Sequence, residues 1–224
     1  MSWSMGGQMN RYAFAIDLAN SNSSWATLVR WTGRNQRVLD VGCGRGQLGR
    51  ILHEQFGCTV TGIEIDPELA RECVGYARVI LGCAEDDQLY NNLGEKFDVI
   101  VCGDVLEHLR DPEIPLRAFH RLLAPQGRLL ISVPNVAQFR IRWMLLRGRW
   151  EYTPEGIMDE THLHWFTRAS LDRLLTRCGW RQNAFDFTVG PDFGRRLQRA
   201  PALKKLLPPT LFATQFLMNL SSVA

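Results

Sequence analysis

Three groups of residues in this chain have the types and spacing that chemistry requires. The first is Asp40-Val-Gly42-Cys-Gly44-Arg-Gly46, followed by the acid Glu64. Glycines so placed let the backbone turn tightly and bring main-chain N–H groups against a ligand. A carboxylate about 20 residues further on, at the end of the next apolar run, is placed to accept hydrogen bonds from both hydroxyls of a ribose. The G-x-G-x-G spacing differs from the G-x-G-x-x-G of pyrophosphate binders, and no lysine follows to complete a P-loop. Asp40 would repel a phosphate but suits a cationic ligand. Spacing alone does not separate a dinucleotide from another adenosine ligand.

The second group is Asp104-Val-Leu-Glu107-His108, and the third is Asp159-Glu-Thr-His162-Leu-His164-Trp-Phe166. An imidazole titrates near neutrality and can take a proton from a hydroxyl acceptor. His162, His108 and His164 are therefore the candidate bases, with His162 first, because its segment is placed to close over an acceptor. Glu107 reads as a partner to the site or an anion at a helix start rather than a base. His162 and His164 alternate, so in an extended stretch both project to the same side. Metal binding there would need more ligands than these, and no metal is expected. Trp150, Tyr152, Trp165 and Phe166 can either wall an acceptor site or pack a lid onto the fold.

The elements that must position these groups follow from hydrophobic patterning. Arg37–Val41, Thr59–Ile65, Arg78–Leu81, Phe97–Cys102 and Gly127–Val133 are short apolar runs separated by helical stretches. Strands alternating with helices at this interval predict an α/β fold, a doubly wound, mostly parallel sheet. Continuous apolar runs fit strands buried on both faces. Asp66 reads as the cap of a helix with Pro67 in its first turn. After Pro134 the rhythm breaks: 137–147 reads as a basic helix, 148–166 as irregular, and 170–178 as a helix capped by Ser170 and stopped by Gly179. A strand is expected over 181–189, a helix over 192–207 and an antiparallel seventh strand over 211–220. The domain division expected is an N-terminal helical segment, 1–36, then one domain, 37–224, with a lid on the acceptor side (137–168) and a helical insertion (190–210).

Composition limits the function classes. With 46% hydrophobic and 22% charged residues the chain is an ordinary globular one. Its net charge of +3 is too small to argue for nucleic acid. Six cysteines show no C-x-x-C spacing, so they read as reduced thiols. The first ten residues lack the pattern of a secretory leader, and the expected location is cytoplasmic. Arg140, Arg142, Arg147 and Arg149 with Trp143 and Trp150 form a basic-aromatic patch. A solvated helix face is preferred there over contact with a phosphate or a membrane surface.

Four segments, Val38-Leu-Asp-Val-Gly-Cys-Gly-Arg-Gly46, Val60-Thr-Gly-Ile-Glu-Ile-Asp-Pro67, Phe97-Asp-Val-Ile-Val-Cys-Gly-Asp-Val-Leu-Glu-His-Leu109 and Leu122-Leu-Ala-Pro-Gln-Gly-Arg-Leu-Leu-Ile131, occur in the order seen in one family. Over roughly residues 35–135 the chain resembles a class I S-adenosylmethionine-dependent methyltransferase. The resemblance implies a seven-stranded Rossmann-like sheet and S-adenosyl-L-methionine as cofactor. It also implies that Gly42, Gly44 and Gly46 border the cofactor, that Asp40 lies near its methionine amino group, that Glu64 holds the ribose, and that Asp104 and Val105 line its methionine end. Ile65, Cys83 and Ala84 are carried over as cofactor-binding too. Cys83 stands where relatives often place an aspartate against the adenine amino group, so adenine is read there by apolar and backbone contacts, or else by Glu85 or Asp86. The stretch 148–167 is similar to bacterial polysaccharide and secondary-metabolite methyltransferases. Val133-Pro-Asn135 and Arg142-Trp-Met-Leu-Leu are similar, more distantly, to MetW proteins, which partner a homoserine acyltransferase. The first likeness implies O-methylation of a small or carbohydrate-like acceptor; the second implies a partner protein without methyl transfer. Nucleic acid is not an expected partner, because Gly-Asp-Val-Leu-Glu follows the fourth strand instead of the motif of base-methylating enzymes.

Overall fold

In the computed structural model, which describes residues 16–190, 204 and 206–223, seven strands form one sheet. They are β1 (Arg37–Val41), β2 (Thr59–Glu64), β3 (Arg78–Leu81), β4 (Phe97–Gly103), β5 (Leu123–Pro134), β6 (Trp180–Val189) and β7 (Ala213–Ser222), in the order β3-β2-β1-β4-β5-β7-β6. The first five pair in parallel, and β7 runs antiparallel to both β5 and β6. The doubly wound sheet with an antiparallel last strand is thus the observed architecture. The helices are α1 (Ser24–Thr32), α2 (Gln47–Phe56), α3 (Pro67–Glu72), α4 (Asp87–Asn91), α5 (Glu113–Leu122), α6 (Phe139–Leu146) and α7 (Arg168–Arg177).

The continuous apolar strand runs bury two faces at once. Side chains alternate across a strand, so Leu39, Ile100, Leu129 and Ile131 join one core with Phe119 and Trp180. Their chain neighbours Val38, Val99, Val101 and Leu130 join a second core, with Leu28 of α1 and Leu52 of α2. The helix that precedes β1 is therefore packed on the sheet.

Local differences from the expectation have physical causes. The last strand begins at Ala213, because Pro209–Phe212 makes one helical turn first, opened by Pro208-Pro209. The helix expected from Ser170 begins at Arg168 with Thr167 as cap; Ser170 is the return partner in a capping box, its hydroxyl accepting from the Thr167 N–H. Asp66 caps α3 as expected, accepting from the N–H groups of Glu68 and Leu69. The helix expected over 192–207 lies almost wholly outside the described residues.

Candidate active site

The carboxyl ends of β1, β2 and β4 open into a cavity of about 860 Å³. This is the edge at which ligands bind in open α/β sheets, where strand order reverses. The glycine loop crosses it from β1 to α2. The loop is pinned to the next strand by the N–H groups of Gly42 and Cys43, which both donate to the Ile63 carbonyl. Gly42 has φ +70°, and a Cβ there would lie 2.5 Å from Val105 Cγ2. Glycine is thus required to let the loop pass the β4 turn.

Two carboxylates face this loop, each buried (3% and 6% exposed) at the cavity wall. Glu64 accepts three main-chain hydrogen bonds, from Gly44 at 2.8 Å and from Ile65 and Asp66 at 2.9 Å. They hold the side chain in place before any ligand arrives. Asp40 accepts one from the Tyr76 hydroxyl at 2.6 Å. Burial pushes the Asp40 carboxyl up to about 7; the Tyr76 bond pulls it down, and the charge on Glu64 pushes it further up. A cation placed beside Asp40 would reverse that penalty. Tyr76 carries no motif signal, since it sits in the short connection before β3.

Asp104 holds a left-handed backbone, φ +55°, at the end of β4. That geometry is uncommon for a non-glycine residue and clusters at functional sites. Its carboxylate is held by Gln215 Nε2, 2.8 Å from both oxygens, and by the Ser132 hydroxyl at 2.9 Å. Burial nevertheless raises its pKa. Gln215 also lines the cavity, as do Thr214, Val189 and Trp25. Sequence reading missed these four. Gln215 is brought in by the register of β7 on β5, and Trp25 by the packing of α1.

Ile65, Cys83 and Ala84 line the same cavity, and Ile65 is left 66% exposed there. Of the two acids named as substitutes for a missing aspartate, Asp86 caps α4 and is absent from the cavity wall. Glu85 reaches the wall, but its Oε1 accepts from the Asp111 N–H at 2.7 Å.

Gly46 caps α2 at φ +80°, and a Cβ there would meet the Cys73 backbone at 2.9 Å. It does not line the cavity; its task is packing the loop onto α3.

The two histidine segments meet across the chain. The Leu163 and His164 N–H groups both donate to the Glu107 carbonyl, at 2.8 and 3.0 Å. This docks 159–164 onto the turn after β4 and sets the rings of His108 and His162 edge to face, 4.7 Å between centroids. Both line the cavity; His164 does not. Its ring instead lies 3.1 Å from the Arg110 carbonyl. The expected same-side projection of His162 and His164 fails because the chain turns there, with the His162 N–H donating to the Asp159 carbonyl, instead of running extended. Nor do Trp150, Tyr152, Trp165 and Phe166 wall the cavity. The first three pack on one another, with ring centroids 5.5–6.4 Å apart, and Phe166 joins the main core. Glu107, His108 and His162 offer one ligand-capable atom each within 4.8 Å of one another, a grouping different from the His162–His164 pair weighed for metal in the sequence.

The arginines of the basic patch make several local contacts. Arg147 stacks on Trp143 at 4.6 Å, Arg149 pairs with Glu151, and Arg142 donates to the carbonyls of Ala137 and Thr210. No described helix is long and apolar enough to cross a membrane.

Comparison with known proteins bears on this geometry. Residues 11–182 match the family model described as a methyltransferase domain. A ubiquinone biosynthesis O-methyltransferase from Pseudomonas aeruginosa is 35% identical over 106 residues, 45% of each chain. Its counterpart from Pseudomonas syringae pv. tomato is 37% identical over 110 residues, again 45% of each. The match thus spans under half the length of these relatives. Among solved structures, a SAM-dependent methyltransferase from Archaeoglobus fulgidus is similar with TM-score 0.61 and 21% identity, over 88% of this chain and 91% of that one. The magnesium protoporphyrin IX methyltransferase of Synechocystis, solved with bound SAH, gives 0.59 and 17%, over 88% and 81%.

Proposed function

Given that the chain belongs to the class I S-adenosylmethionine-dependent methyltransferases, we propose that it transfers the methyl group to a hydroxyl oxygen of a small or carbohydrate-like acceptor. The observation that carries this reading is one cavity lined both by the glycine loop with Asp40 and Glu64 and by the His108–His162 pair. Its volume lies in the upper range of small-molecule sites and leaves room beside a nucleoside cofactor.

Asp40 meets the methionine ammonium, and Glu64 accepts from the ribose hydroxyls. Gly42 and Gly44 bring the backbone against the cofactor, Ile65, Cys83 and Ala84 form the apolar slot for adenine, and Asp104 and Val105 line the methionine end. Methyl transfer from a sulfonium is an in-line displacement, so the protein's main task is to align donor and acceptor. A hydroxyl acceptor must also lose a proton, and the His108–His162 pair is placed to manage it. The lid segment 155–162 contributes Glu155, Ile157 and His162 to the wall and so shields the transfer from water. That the relatives above are named as O-methyltransferases supports oxygen as the acceptor atom.

Calorimetry with S-adenosylmethionine, followed by conversion assays with hydroxylated aromatic and sugar acceptors, tests this. One cofactor bound per chain and an O-methylated product are expected. Absence of cofactor binding, or methylation on nitrogen or carbon alone, would refute it.

A further inference from the structure

Glu107 is the most unusual side chain in the cavity wall. It is 1% exposed, and neither carboxylate oxygen accepts a hydrogen bond from another residue. A buried carboxyl group without partners costs several kcal/mol as the anion unless a cation matches it. Asp104 and Asp159 lie close enough to raise its pKa further, beyond the rise that burial causes. The imidazoles of His108 and His162 each bring a nitrogen within 4.8 Å of a Glu107 carboxylate oxygen. Both rings are held from behind. Nδ1 of His162 lies 3.2 Å from the Ile157 carbonyl, and Nδ1 of His108 lies 3.3 Å from the Thr161 carbonyl and 3.2 Å from its hydroxyl. A carbonyl only accepts, so each Nδ1 carries the proton and the tautomer so favoured has its lone pair on Nε2. An imidazole whose Nδ1–H is tied to a backbone carbonyl has the pattern typical of a metal ligand.

We propose that Glu107, His108 and His162 bind a divalent transition-metal ion of the zinc class at the cavity wall. Two imidazoles with one carboxylate suit zinc and its neighbours in the first transition row; magnesium and calcium prefer all-oxygen sites. The three ligand atoms lie within 4.8 Å of one another. A tetrahedral ion with bonds of about 2.0–2.2 Å holds its ligands about 3.4 Å apart, so closure of at most about 1.4 Å between any two side chains completes the site. Three protein ligands leave a fourth position toward the cavity for a water or an acceptor oxygen. This deepens the proposed function and rests on it only for the identity of that fourth ligand. Once metal-bound, the two imidazoles act on the acceptor through the ion.

The test uses the full chain, stripped with a chelator and titrated with Zn²⁺ by calorimetry and with Co²⁺ by visible absorption. Cofactor binding is measured on the same samples. One equivalent of metal is expected, with a cobalt spectrum of low coordination number. Glu107→Gln and His162→Ala should each weaken metal binding at least about tenfold, and S-adenosylmethionine should still bind the stripped protein. Should His162→Ala fail to fold, His108→Ala takes its place. Binding well below one equivalent, or unchanged affinity in the Glu107 and histidine variants, overturns the metal site and leaves the cofactor reading intact. Loss of cofactor binding in the unmodified protein would instead count against the proposed function.

Discussion

Asp40 gives the most quantitative expectation, because its titration and its ligand are linked. Its carboxyl, held near 7 by burial, is largely protonated at pH 6 in the free protein. The neighbours that titrate or carry charge around it are Glu64, Cys43, Cys73, Tyr76 and Cys102. If the methionine ammonium binds the ionised form, affinity follows the ionised fraction, which is about 9% at pH 6 and about 50% at pH 7. S-adenosylmethionine should then bind about fivefold more tightly at pH 7 than at pH 6, and about 50-fold more tightly than at pH 5. Proton release on binding should appear as a buffer-dependent calorimetric enthalpy. Asp40→Asn keeps the acceptor for the Tyr76 hydroxyl but removes the charge. It should lose about 10- to 100-fold in affinity at pH 7.5, as expected for a charge-assisted hydrogen bond of about 1.5–3 kcal/mol, and show a flat profile over this range. The sign of the stability effect is opposite in the free protein. A folded-state pKa raised above the ordinary 3.8 means that stability is greatest below that value and is lost as pH rises through about 7. The thermal shift given by cofactor should therefore grow from pH 6 to pH 8. A pH-independent affinity in the unmodified protein, or the same slope in Asp40→Asn, would show that Asp40 does not meet the ammonium.

Other substitutions separate the roles. Glu64→Ala should weaken cofactor binding at least about tenfold by calorimetry, since it removes a carboxylate fixed by three backbone donors. His162→Ala should lower turnover about 10²–10⁴-fold with cofactor affinity intact, and His164→Ala, outside the cavity, should leave turnover near normal. Gly46→Ala should cost about 1–3 kcal/mol in chemical denaturation, from its positive φ and the Cys73 backbone 2.9 Å away, while affecting cofactor affinity far less than Glu64→Ala. If the chain were a MetW-like partner protein, it would capture a homoserine acyltransferase and transfer no methyl group to any acceptor.

The proposed cofactor half of the site is legible in the sequence because it is local. Asp40, the glycines and Glu64 lie within two β-α units, whose strand ends are brought together by the pairing of β1 and β2. Gly46 shows the limit of that logic. It belongs to the motif, yet the turn directs it toward α3 and away from the cavity. The proposed acceptor half is built from distant pieces. Glu107 and His108 follow β4, while His162 comes from an irregular stretch with no period to read, and the hydrogen bonds to the Glu107 carbonyl, with the contacts of the His108 ring to Thr161, bring them together. Gln215 reaches Asp104 through the antiparallel register of β7, which no local pattern encodes. Aromatic density in 148–166 left a ligand wall and lid packing equally open; three of those rings pack on one another.

The most direct test of the central proposal is product analysis after incubation with methyl-labelled S-adenosylmethionine and a panel of catechol, phenol and sugar acceptors. Label on an oxygen of one acceptor class, lost in His162→Ala while cofactor still binds, is the expected result. Label on nitrogen or carbon, or transfer unaffected by removing both His108 and His162, would contradict it.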